Sequence, residues 1–503
     1  MTDPVPAAAR RQLWIDLGIV AGVGAAARLL LLALAPGTLI FPDSFSYIEG
    51  LFRASNAVHT SDLSYFWWVG SLGTYSADSI AAFQMVFGLL CGVALVDGLR
   101  RVAPRWIALS CGLLFVCFPP LLGFERVFLS EPTCVDLAAL GLFGLIRLLT
   151  TRSSRAQWGW TALVAASMGS LVVVRSALLF AALAVIAVSV LIAARSLPRI
   201  WWRRAALACV TLVIFAAPLL ERSEANQRYF QTRSLAPASA AFLFARWAPL
   251  IPCPTPGQDL TPAARRDMAR ACTMTSYGQI PGGDTNNLWG GQVFPKITSR
   301  RTAEDRLTQS QLGAAARSAM LHHPGAVAQQ VVASIWYQLF SPPSNDLRGY
   351  HAAVLTPRLN EIVTQHQATG RILERFFGDK VGDRKHVPPV RGLLQATYRW
   401  PQYLLWVDLA LGLVVGLASL LLRRRPSKAW LGSPQVLVGI TAVAFCAGEM
   451  LNIALGAFSV FRYLFPLVPW LIGLLALGLS AAAKLVGRTR SSGSGRARTS
   501  GGA

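Results

Sequence analysis

The chain has 503 residues, 53% of them hydrophobic and only 14% charged, against roughly a quarter charged in soluble domains. That balance excludes a soluble enzyme or binding module. The formal net charge of +23 does not make nucleic acid a partner, because most short interhelical loops that hold arginine are those a positive-inside topology puts in the cytoplasm.

Ten apolar spans follow in chain order, roughly 16–36, 79–98, 106–122, 132–149, 158–174, 177–194, 205–220, 401–422, 433–453 and 461–483, each near the length that crosses a bilayer. The first is flanked by Arg10 and Arg11 and has no small-residue cleavage pattern before Phe41, so it reads as a retained helix. Basic residues then alternate. Arg100, Arg101 and Arg105 follow span two; Arg147, Arg152 and Arg155 follow span four. Arg195, Arg199, Arg203 and Arg204 follow span six; Arg423, Arg424, Arg425 and Lys428 follow span eight. The tail carries Lys484, Arg488, Arg490, Arg496 and Arg498. The other short loops hold Arg53, Arg126, Arg175 and little else. Both termini are therefore expected in the cytoplasm.

The predicted fold is an all-α polytopic membrane protein of about 10 transmembrane helices with a mixed, partly helical extracytoplasmic segment. Residues 1–220 are expected to form an N-terminal transmembrane region, its outer loops being the catalytic candidates taken up below, and 221–400 an extracytoplasmic loop domain. Residues 401–483 supply the C-terminal transmembrane helices. The Gly/Ser/Arg-rich tail 484–503 is expected to be disordered and cytoplasmic. Cys91, Cys111, Cys117, Cys134, Cys209 and Cys446 lie in apolar runs, where a free thiol behaves as a small hydrophobe. Cys253 and Cys272 fall in the long polar segment; an outward location allows them to form a disulfide, which their spacing does not prove.

Four outward turns carry the candidate chemistry. In "FPDSFSYIEG", Asp43 leaves span one with Tyr47 and Glu49 close behind; a carboxylate at the membrane edge suits a general base, and equally an N-cap. "FERVFLSEP" packs Glu125, Arg126 and Glu131 into one short connection, with Glu131 also placed to complement a helix dipole. Arg175 is a lone cation between spans five and six, either functional or snorkelling to headgroups. Arg462 and Tyr463 open the last span, with Glu449 across the turn as an ion-pair partner for Arg462. All four turns share one membrane face. Acids and arginines together there suit a reaction on a lipid-linked phosphate, Arg holding the phosphate and a carboxylate deprotonating the acceptor hydroxyl.

In order and sidedness these motifs resemble the GT-C superfamily of polytopic glycosyltransferases, near the bacterial protein-mannosyltransferase and lipid A aminoarabinose-transferase-like branch. "FPDSFSYIEG" resembles the first-loop acidic motif, "ERVFLSEP" the second-loop acid before a helix, "VVVRSALLF" the Arg-capped hairpin, and "FRYLFPLVPW" the Arg-Tyr-x-x-Pro-x-x-Pro helix opening. "HHPGAVAQQVVASIWYQLF" is a fainter likeness of the helix that returns to the membrane. The chain has Ser44 after Asp43 where many relatives have a second acid, and Ser176 where Pro is usual.

The resemblance implies Asp43 as catalytic base and Glu131 as an acid of the catalytic site. It also implies Arg175 and Arg462 near the lipid phosphate of a polyprenyl-phosphate-sugar donor, with an envelope protein, lipid or glycan as acceptor. Tyr47, Glu49, Glu125, Arg126 and Tyr463 are candidate substrate-binding residues. The resemblance implies no nucleotide-sugar site, and no "GxxxxGKS" phosphate loop occurs in the chain. A divalent cation is left open, with Asp43, Glu49, Asp62 and Glu131 as oxygen donors. The location implied is the bacterial plasma membrane, with the active site extracytoplasmic. The main alternative is a membrane transporter or lipid flippase; another envelope-lipid transferase and a non-catalytic assembly protein are further ones.

The charge pattern makes a direct prediction. A topology reporter fused after Arg300 should read as extracytoplasmic and one fused after Arg490 as cytoplasmic; a cytoplasmic reading at Arg300 would remove the basis for an outward site.

Overall fold

The structure, a computed structural model, describes residues 7–34, 77–127, 129–151, 153–196, 201–230, 233, 235, 239–247, 250–251, 262, 309–340, 399–421, 433–456 and 461–494. The described residues are almost wholly helical and contain no β-strand. In chain order the helices are α1 (Ala7–Leu34), α2 (Ala77–Leu99), α3 (Arg105–Val116), the short α4 (Pro119–Phe124), α5 (Glu131–Thr150), α6 (Ser154–Val174), α7 (Leu179–Ser196) and α8 (Trp201–Phe230). Then come α9 (Ser239–Trp247), α10 (Gln309–His322), α11 (Pro324–Phe340), α12 (Trp400–Leu421), α13 (Pro434–Gly456) and α14 (Val468–Ser494).

Eight of the described helical segments are long and apolar enough to cross a membrane. They coincide with eight of the ten expected spans. The other two expected spans appear as the shorter apolar helices Ser176–Ile192 and Trp400–Val415. The described residues are those of an all-α membrane protein.

At the centre lies α5. It packs against α2, α6, α13 and α14, and buries fifteen residues from Glu131 to Leu148. By contrast α1 and α8 are peripheral. Trp14, Leu29, Leu30 and Leu34 of α1, and Trp201, Leu212 and Val213 of α8, are exposed, the apolar outer surface a bilayer covers.

Three departures from the expected elements have local causes. The third span is broken. Pro119 and Pro120 lack the N–H groups that would continue the ladder, and Phe118 before them is extended, at φ −63° and ψ 108°. The helix of span seven runs on to Phe230 in α8, ten residues past the end expected at 220. The last helix continues through Arg490 to Ser494, eleven residues beyond 483 and into the stretch expected to be disordered. Extending a helix already nucleated by apolar turns costs little per residue.

Parts of the 221–400 segment dock on the spans. Arg246 donates to the Ala454 carbonyl, at 3.3 Å from Nε and 3.2 Å from Nη2, and Trp247 Nε1 donates to Leu455 at 3.0 Å. These side chains meet carbonyls at the end of α13 that have no intrahelical donor. Gln402 and Trp406 do the same for α11, donating to Leu339 at 2.5 and 2.7 Å.

Small residues set the closest approaches between spans, as membrane interfaces favour. A Cβ on Gly169 of α6 would lie 2.6 Å from the Phe215 carbonyl oxygen and 3.0 Å from Pro218 Cγ of α8. Pro218 itself removes one hydrogen bond inside α8. Gly169→Ala should therefore destabilise by about 1–3 kcal/mol, read as a lower thermal midpoint in detergent. Gly159→Ala on the same helix is the control, since nothing lies within 4 Å of its new carbon. Equal midpoints for the two variants would refute the close approach.

Candidate functional site

Chain direction sorts the charged side chains into two ends. Asp16, Asp97, Arg100, Arg105 and Arg147 lie at the end where α1 begins and α2 finishes. There Asp16 accepts from Arg100 at 2.6 Å and Arg105 at 2.9 Å, and Asp97 accepts from Arg147 at 2.9 Å. Several arginines expected to mark the cytoplasmic loops are thus held by acids inside the flanking helices. Arg28, Glu125, Arg126, Glu131 and Arg175 belong to the opposite end, where α1 finishes and α5 begins. The 35–76 segment, with Asp43, also leaves α1 there.

The α3–α4 break creates the first contact at this second end. Pro120 cannot donate to the Val116 carbonyl four residues before it. Arg28 fills the gap, its Nη1 donating to Val116 at 3.1 Å and to Gly24 at 3.0 Å. Its Nη2 contacts Glu125 Oε1 at 2.5 Å, with side-chain exposures of 4% and 0%. Gly88 makes room for the pair: a Cβ there would lie 2.3 Å from Glu125 Oε1. The following residue, Arg126, is fully buried and donates to the Leu31 carbonyl at 3.2 Å, near the end of α1. Gln84 Nε2 donates to the Leu129 carbonyl at 3.1 Å. Three side chains therefore pin the 125–130 connection.

That connection delivers Glu131 to the first turn of α5, where a carboxylate is favoured by the helix dipole. Glu131 Oε1 accepts from Arg175 Nη1 at 3.2 Å. Arg175 ends α6 in an extended conformation, φ −148° and ψ 98°, so the pair ties the head of α5 to the tail of α6. Glu449 of α13 is within electrostatic reach of Arg175 and fully buried, and neither of its oxygens has a hydrogen-bond partner. Gly448 beside it lets α13 run tight on α7: its Cβ would be 3.1 Å from both Cα and N of Ala181.

Of the residues expected from sequence, Glu125, Arg126, Glu131 and Arg175 meet at one end of the bundle. Arg462 and Tyr463 lie in a 3₁₀ helix, Phe461–Leu467, that packs against α5; their side chains lie outside the described residues, and so does the expected Glu449–Arg462 pair. Asp43, Tyr47, Glu49, Asp62, Cys253 and Cys272 also lie outside them. Two members were missed. Arg28 hides in the run "AGVGAAARLLLLALAP", and Asp136, fully buried, sits among the apolar residues of α5. The signal was available: a charge inside an apolar span is rare and marks a partner or a function. Among the described residues no group of three or more His, Cys, Asp or Glu is placed to hold a metal.

Comparison with protein-family models gives no match, and neither does comparison with curated protein sequences.

Removing one partner of a buried pair strands the other charge, at a cost of about 3–5 kcal/mol. Arg28→Leu should show this as a large fall in thermal midpoint. Adding Glu125→Leu should recover the larger part, leaving the loss of the Val116 contact. A double variant no more stable than the single one would mean that the charge balance is not what matters.

Proposed function

We propose that the chain is a GT-C-type glycosyltransferase, moving a sugar from a polyprenyl-phosphate donor to an envelope protein, lipid or glycan at the outer face of the bacterial plasma membrane. The observation that carries this reading is the Glu131–Arg175 pair, a buried acid holding a guanidinium at the same bundle end from which the Asp43 segment leaves.

In this mechanism Asp43 takes the proton of the acceptor hydroxyl as its oxygen attacks the anomeric carbon. The bond between that carbon and the phosphate oxygen breaks, and the lipid phosphate departs with the negative charge. Arg175, at 11% exposure, meets that charge, with Arg462 as a second guanidinium; a fixed donor fork suits phosphate oxygens. Glu131 is then a positioning acid that holds Arg175 rather than a second base. Tyr47 and Glu49 shape the surroundings of Asp43. Glu125 and Arg126, both fully buried, support the 125–130 connection from within.

One observation favours the alternative, a transporter or lipid flippase. Asp136, Glu449 and Asp408 lie within apolar helices, and none of their carboxylate oxygens has a hydrogen-bond partner; intramembrane acids of that kind mark ion and proton pathways.

The envelope glycan and lipid profile of a deletion strain should lack one glycosylated component, restored by the wild-type chain. Asp43→Asn keeps size and hydrogen bonding but removes basicity. It should reach normal membrane abundance with transfer down at least about a hundredfold, and Glu131→Gln should lose as much or less. Full restoration by Asp43→Asn would take the centre from the glycosyltransferase reading. Loss of transport in Asp136→Asn or Glu449→Gln with an intact glycan profile would favour the alternative.

A further inference from the structure

On α2 and α5, which pack side by side, and on the connection before α5, several buried oxygen atoms have no hydrogen-bond partner. On α2, Gln84 uses its Nε2 on Leu129, yet its Oε1 has no hydrogen bond. On α5, Thr133 and Asp136 are three residues apart and so share a face; the Thr133 hydroxyl and both Asp136 oxygens are unpartnered. Glu125 gives Oε1 to Arg28 and keeps Oε2 free of hydrogen bonds. Residue exposures are 1% for Gln84, 4% for Thr133 and 0% for Glu125 and Asp136.

Gln84 lies one turn before Gly88 on α2, and the Leu129 carbonyl that it holds is four residues before Thr133. Asp136 is within electrostatic reach of Glu125 and Arg28. Cys91, one turn along α2 from Gly88, is within reach of Asp136 and Glu125. Gly88 itself touches the Arg28–Glu125 pair. The charges acting on Asp136 are one carboxylate, Glu125, and one guanidinium, Arg28; Arg126, next to Glu125 in sequence, donates to the Leu31 carbonyl of α1.

An ionised, unpartnered carboxylate inside a bilayer-spanning bundle needs a cation or a proton. Here the uncompensated charge is a single negative one. The available donors are all oxygen, from carboxylate, amide and hydroxyl groups, which suits a hard cation and not a soft one. A divalent ion would leave the region net positive beside Arg28, so the charge count selects a monovalent ion. We propose that Gln84, Glu125, Thr133 and Asp136 form a monovalent metal-cation site that clamps α2, α5 and the 125–130 connection together. The site is separate from sugar transfer, and its test reads ion binding whatever the chain's activity.

The full chain, purified in detergent, is titrated with NaCl against choline chloride at constant ionic strength and pH 8. The thermal midpoint should rise with Na⁺ and saturate, as linkage to the folded state requires. Equilibrium dialysis with radioactive Na⁺ should give one ion per chain, displaced as pH falls and Asp136 takes a proton. Asp136→Asn should lose the Na⁺ response and unfold at or above the Na⁺-free wild-type midpoint, since it carries no stranded charge. Thr133→Val keeps the shape and removes one ligand. It should weaken Na⁺ binding about tenfold, the loss of one modest polar contact, and it decides the matter if Asp136→Asn fails to fold. A flat wild-type response, or Na⁺ binding unchanged in a folded variant, overturns the site. Stabilisation that follows pH alone makes Asp136 a proton site instead. Stronger stabilisation by CaCl₂ than by NaCl overturns the monovalent assignment.

Discussion

The site end of the bundle hangs on one guanidinium. Two consecutive prolines break the third span and leave the Val116 carbonyl without its usual donor. In water such a group would be hydrated; in an apolar bundle it must find another donor. Arg28 supplies it, from the last two turns of α1, and the same fork holds Glu125. An arginine at that depth is tolerated because it meets three acceptors at once: the Gly24 and Val116 carbonyls and Glu125. Glu125 held by Arg28, Arg126 on the Leu31 carbonyl and Gln84 on the Leu129 carbonyl together lead the chain to Glu131 at the start of α5.

The spans were legible in the sequence because bilayer crossing imposes a length and a composition that few other structures need. Every one of the ten apolar runs has a helix in the structure, although two of the helices are shorter. What the apolar count hid was the interior charge. Arg28 and Asp136 are single ionisable residues in long hydrophobic runs, and their surroundings outvote them in any average over the window. The pairing of Arg100 and Arg105 with Asp16 was equally hidden, because the partners are 84 and 89 residues apart.

The candidate site divides along the same line. That Glu125, Arg126, Glu131 and Arg175 belong together could be read from loop alternation, which places successive connections at opposite ends. Which acid meets which arginine could not. Glu125 and Arg126 are neighbours in sequence, yet they turn to different partners, Arg28 and the Leu31 carbonyl. Glu131 finds Arg175 through the packing of α5 on α6. Side-chain direction around a tight connection decides these pairings, and one-dimensional spacing does not encode it.

The charges at this end also constrain each other. This end holds three guanidinium groups, Arg28, Arg126 and Arg175, and four carboxylates, Glu125, Glu131, Asp136 and Glu449. All but Arg175, which is 11% exposed, are fully or almost fully buried. With every acid ionised the region is net negative and repels a phosphate. Arg28 and Arg175 are each already matched to one acid, Glu125 and Glu131, so what decides the sign is the state of the two unpartnered ones. Neutralising Asp136 and Glu449, by a proton or a bound cation, turns the balance net positive.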